Sequence, residues 1–154
     1  MVRRAFLVVA AVVLAVAGCA VTPAGDGLAG RMVGVDDTGL PDHPLDGGAI
    51  LAVPADRAGD LWAATDPTGA PADPAHAGAR LPRKAVTGLD GTVAAITDSG
   101  RFRLDAPAGP AVVCYAGDPW QDTLTLRGCA ELDLPPDGTL RGTWGEGGFA
   151  VAID

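Results

Sequence analysis

Thr97-Asp98-Ser99-Gly100-Arg101-Phe102-Arg103-Leu104 is the stretch from which the fold is read. Its second half alternates charged and apolar side chains, the period of two that puts one face of a strand in a core and the other in water. Its first half is a turn with a mechanism. Asp98 and Ser99 can bond their own backbone and Gly100 is free to take positive φ, so a tight hairpin is expected here. Working outward, short runs suited to strands recur at 31–35, 49–53, 92–97, 111–116, 123–126, 130–134, 139–144 and 149–153. Turn clusters such as Pro135-Pro136-Asp137-Gly138 and Gly147-Gly148 separate them. This spacing predicts an all-β chain, an antiparallel β-sandwich of about seven to nine strands over residues 30–154.

One segment breaks the pattern. Residues 54–91 are rich in Pro, Gly and Asp and too long for an ordinary loop, so they read as a long irregular insertion. Within it, residues 56–65 are expected to form a brief helix, with Leu61 and Trp62 packed on the sandwich and Pro67 ending it.

Several motifs together carry a resemblance: Gly30-Arg31-Met32-Val33-Gly34-Val35-Asp36, Gly39-Leu40-Pro41, Gly47-Gly48-Ala49-Ile50-Leu51-Ala52-Val53, the motif opened on above, and Pro107-Ala108-Gly109. They resemble the carboxypeptidase-regulatory-like, or transthyretin-like, β-sandwich, with an immunoglobulin-like sandwich as the alternative. The resemblance implies a Gly-x-Val-x-Asp strand, a strand opened by Gly-Ala, a Thr-Asp-x-x-Gly-x-Phe hairpin and a strand ending at Tyr115. It covers residues 30 to about 115. It departs from the family in the length of the 54–91 insertion and in Pro107-Ala108-Gly109-Pro110. Members of that family are mostly non-catalytic, so the resemblance carries over no catalytic residue.

The start of the chain addresses compartment. Arg3 and Arg4 precede an uninterrupted apolar run over residues 5–17, and Val16-Ala17-Gly18-Cys19 closes it. That order is the order of a secretory signal, and the run is too short to span a bilayer core that takes about 20 apolar residues. The closing motif resembles the lipobox of bacterial lipoprotein precursors. That resemblance implies removal of residues 1–18, diacylglycerol on the Cys19 sulfur, and a mature protein held on the extracytoplasmic face of the cell membrane. Residues 19–29 then read as a flexible tether, being small, polar and without a periodic apolar face.

Losing Arg3 and Arg4 leaves 9 basic against 19 acidic residues, a net charge of about −10. Lys84 is the only lysine and the arginines are spread along the chain, so nucleic acid and anionic headgroups are not expected partners. With Cys19 lipidated, Cys114 and Cys129 remain as a pair in an oxidising compartment, where a disulfide is the default. A closed loop of about 16 residues would contribute roughly 3 kcal/mol in the chain-entropy model.

Residues able to carry chemistry are few. Ser99 is the only serine and lies in the Asp-Ser-Gly turn, and no Gly-x-Ser-x-Gly elbow occurs. His43 and His76 sit in separate loops outside any zinc spacing. Asp36, Asp37, Asp42 and Asp46 share one acidic loop and offer the oxygens Ca²⁺ prefers, but not in EF-hand order. No cofactor is therefore expected. Trp62 and Trp120, both in loops, are the candidate binding aromatics, with Trp144 beside them as a third possible stacking surface. The function expected is a non-catalytic binding module anchored in membrane lipid through Cys19, with an envelope protein, peptide or glycan as partner. The alternatives are a metal-dependent hydrolase using loop Asp and His residues, or a structural envelope protein without a dedicated ligand.

Overall fold

The computed structural model describes residues 27–36, 38, 41–65, 78–118 and 121–154. Cys19, Asp37, His76 and Trp120 lie outside the described residues, as do residues 1–26 as a whole. Among the described residues ten strands form two five-stranded sheets packed face to face, an all-β sandwich. The first sheet holds β1 (Leu28–Gly34), β2 (His43–Pro44), β6 (Arg101–Leu104), β9 (Thr139–Gly145) and β10 (Gly148–Ile153). Its order is β10-β9-β1, with β2 and β6 both paired to the free side of β1. The second runs β4 (Arg80–Pro82), β8 (Thr123–Leu134), β7 (Gly109–Gly117), β3 (Ala49–Pro54), β5 (Thr92–Ala95). Pairing among the described strands is antiparallel except between β1 and β9, which run parallel.

The core is double. Ile50, Ala52, Val113 and Tyr115 face the first sheet and meet Leu28, Met32, Phe102, Leu104 and Leu140. Their neighbours Leu51, Val53, Val112, Cys114 and Ala116 point the other way, into a second core. Strands β3 and β7 are therefore apolar at nearly every position because both faces are covered, as in a sheet that lies between two layers.

The second core is closed by the insertion. Helices α1 (Ala58–Ala64) and α2 (Arg83–Gly88) lay Leu61 and Val86 on the outer face of the second sheet, with Ala79 and Leu81, and all four are fully buried. The expected brief helix is present, and Leu61 is its buried anchor. The rest of the described insertion is more regular than its composition suggests, since β4 and α2 also lie in it. Thr65 ends α1 with its hydroxyl donating to the Trp62 carbonyl at 2.7 Å. At the end of α2 the N–H groups of Leu89 and Gly91 both donate to the Val86 carbonyl, around Asp90 at φ 57°.

Two local readings change. The runs at 123–126 and 130–134 are one strand, β8, not two. Tyr115 pairs with Gly128 and Ala116 with Leu126, so Arg127 is an extra residue in the ladder, a β-bulge. Leu124 and Leu126 before it face the helices, whereas Leu132 and Leu134 after it face the first sheet. Without the bulge all four would share one face, because the side-chain period is two. Gly128 follows because a Cβ there would come within 2.6 Å of the Phe149 Cβ.

The turn at 97–100 is as tight as expected, but it does not join paired strands: it carries the chain from β5 in the second sheet to β6 in the first. The Gly100 N–H donates to the Thr97 carbonyl at 2.8 Å and the Arg101 N–H to Thr97 Oγ1 at 3.1 Å. Gly100 itself, at φ 73°, accepts from the Met32 N–H at 2.7 Å, which ties the corner to β1. The hairpin expected at Gly147-Gly148 does join paired strands, β9 and β10, in register Gly145 to Gly148.

Cys114 and Cys129 stand directly opposite on β7 and β8 and are disulfide-bonded, Cα to Cα 4.0 Å. The bridge lies on the helix-covered face, with Cys114 inside the second core. Because α1 closes that core, Leu61→Ala is expected to lower unfolding free energy by about 2–5 kcal/mol in urea denaturation; a loss below about 0.5 kcal/mol would mean the insertion is only a surface ornament.

Candidate functional site

A cleft of about 400 Å³ opens where β1 and β9 end, between the loop after β1 and the β9–β10 turn. Trp144 and Leu45 form its apolar side, and Asp36, Thr38, His43 and Glu146 its polar one. The sheet register explains the gathering: Gly34 lies opposite both His43 on β2 and Trp144 on β9. A Cβ on Gly34 would lie 2.6 Å from His43 Nε2, so glycine lets the imidazole rest against the strand. Trp144 is held from behind by Tyr115, edge to face with centroids 6.0 Å apart, and Tyr115 packs in turn near Phe149 at 6.3 Å. The indole is thus fixed in orientation while part of it stays accessible at the cleft.

Asp36 is organised locally. It accepts the Thr38 hydroxyl and, at 2.7 Å, the Thr38 N–H, an Asx-type turn. Those bonds, the hydroxyl first, hold the Asp36 carboxyl below its ordinary pKa, with a smaller contribution from His43. Tyr115 shifts upward because its phenol is removed from water; Asp46 adds to the rise and Arg127 opposes it.

The acidic loop does not converge. Asp36 lines the cleft, Asp42 pairs with Arg141 at 3.3 Å, and Asp46 lies in the field of Tyr115. No group of three or more His, Cys, Asp or Glu side chains able to hold a metal ion occurs among the described residues. Trp62 is half-buried and packs against the second core, so it serves the helix layer and not the cleft. Thr38 and Glu146 are the site residues sequence reasoning missed, whereas Trp144, the third of the aromatics it named, forms the cleft's wall. Their signal was indirect, a Trp-Gly-Glu-Gly-Gly turn whose place beside Asp36 depends on β1 pairing with β9.

No protein-family model, curated protein or solved structure matches the chain.

A depressed carboxyl pKa favours the folded state above the unfolded value, and the benefit is lost as pH falls through the folded one. Thr38→Ala is therefore expected to raise the Asp36 pKa toward the ordinary value near 4 and to remove its share of the acid-limb stability. Carboxyl chemical shifts followed by NMR titration check this; an unmoved Asp36 would show that Thr38 does not set its charge.

Proposed function

We propose that this protein is a lipid-anchored, non-catalytic module of the cell envelope that binds a glycan, peptide or protein end in the Trp144 cleft. In this reading residues 1–18 are a lipoprotein signal peptide, Cys19 carries the lipid, and the tether leads into a transthyretin-like sandwich. The anchor is supported by Arg3 and Arg4, the apolar run after them and the small residues before Cys19. The family reading is supported by the Gly47-Gly48-Ala49 entry to β3, the turn before β6 and Tyr115 near the end of β7.

The cleft carries the binding part of the proposal. It lies at the opposite end of β1 from Leu28, where the tether enters, about 20 Å along the strand. A domain held by its N-terminus thus presents the cleft away from its attachment. A rigid indole flanked by Asp36, Thr38, His43 and Glu146 is the usual makeup of a small recognition site: one apolar surface for stacking and a few polar groups for orientation. Ser99 supports the non-catalytic reading, since its hydroxyl is engaged with Thr97 Oγ1 at 3.1 Å inside a structural turn.

Two measurements test the halves separately. Cys19→Ala is expected to abolish lipid labelling and membrane retention, and a variant still labelled and retained would overturn the anchor. On an array of cell-wall glycan fragments and short peptides, the domain is expected to retain ligands that Trp144→Ala binds about tenfold or more weakly. Equal binding by the variant, or none by the wild type at millimolar ligand, would overturn the cleft.

A further inference from the structure

The outer face of the first sheet carries a row of arginines that the acidic balance of the chain conceals. Arg31 on β1 pairs directly with Arg101 on β6 and with Arg141 on β9, so three guanidinium side chains leave the same face of three adjacent strands. Their direction is set by the alternate residues Met32, Phe102 and Leu140, which are buried in the first core on the other side. Arg103 stands on the same face one step along, opposite Ala29, and donates to the Gly27 carbonyl at 2.9 Å. Four of the eight arginines downstream of the leader thus share one sheet face, though they are spread over more than a hundred residues of sequence.

Arg31 and Arg101 are exposed, and Arg141 keeps 40% of its side chain accessible while its Nη2 meets Asp42 at 3.3 Å. Like charges directly opposite across a ladder repel, so this row is an arrangement that an anionic surface would relieve. The positions between and beside the arginines are small: Ala29, Thr139, Ala150 and Ala152. Adjacent strands lie about 4.8 Å apart, which sets the spacing of the charges across the sheet. The other outer face of the sandwich, by contrast, is occupied by α1 and α2.

We propose that this arginine face docks on an anionic phospholipid bilayer. The placement rests on the Cys19 anchor described above. Eight residues, 20–27, separate that cysteine from β1, and fully extended they reach about 30 Å at most. They enter the sheet at the corner where Arg103 grips Gly27. Headgroups are therefore always within reach, and the row adds an electrostatic contact beside the lipid on Cys19. Asp42, bonded to Arg141, is an acidic side chain at the row itself, and charge farther away on the domain is screened beyond about 8–10 Å.

The described packing of both cores runs from Leu28 to Val151, so a chain of residues 20–154 holds it and is the protein to use, without lipid. It is expected to sediment with vesicles of phosphatidylglycerol and phosphatidylcholine at 20 mM salt, not with phosphatidylcholine alone, and to bind more weakly at 150 mM salt. A variant with Arg31→Gln, Arg101→Gln and Arg141→Gln is expected to lose about fivefold per residue, on the order of a hundredfold together. The matching triple Lys variant should bind near the wild-type level, which separates charge from folding. Absence of binding to anionic vesicles, or equal binding by the Gln variant, overturns the proposal; so does capture by soluble polyphosphate with no vesicle binding, which would assign the row to a polyanion. Because no lipid is attached, these outcomes are independent of Cys19, whose own failure would appear only in lipid labelling.

Discussion

Strands β3 and β7 have no polar face, and that constraint organises the molecule. Ile50 and Leu51, or Val112 and Val113, point to opposite sides of one sheet, so two apolar surfaces must be covered. The first sheet covers one. Among the described residues the segment between β3 and β5 covers the other, supplying Leu61, Leu81 and Val86. Burying a side chain of this kind contributes about 1.5–3 kcal/mol, a large share of the net stability of a small domain. The insertion is accordingly a structural layer, although its composition is that of a loop.

The bulge at Arg127 belongs to the same constraint. β8 is long enough to serve both cores, and one extra residue converts leucines an even number of positions apart into two pairs facing opposite ways. The disulfide sits just beyond the bulge, where Cys129 meets Cys114 across the ladder. The cross-link therefore secures β7 against β8 where the ladder is irregular, on the face that the helices close.

Helices cover the outer face of the second sheet, which leaves the outer face of the first as the open sheet face among the described residues. One of its ends holds the cleft, where Trp144 is braced by Tyr115 from the opposite sheet. Its outer face holds the arginine row. The cleft lies at the Gly34 end of β1, and the row crosses the middle of the strand at Arg31 and its Leu28 end at Arg103. The two proposed contacts therefore draw on different parts of one sheet.

Much of the strand pattern was legible in the sequence, because alternation in Arg101 to Leu104 and turn residues such as Gly147-Gly148 act over a few neighbours. The Cys114–Cys129 pairing matches the expectation drawn from the sequence, and the register of β7 against β8 is what sets the two directly opposite. The turn at 97–100 was legible as a turn, yet not as a crossing between sheets, because local hydrogen bonds do not say which sheet the next strand joins. Helix α2 was hidden by its length: six residues show too little periodicity, and its stability comes from Val86 packing on a distant sheet. The face switch in β8, the cleft and the arginine row all depend on register between segments far apart in the chain. Local propensity determined where strands and turns lie; only tertiary pairing decided which side chains share a face, because a shift of one residue would send each of them to the opposite side.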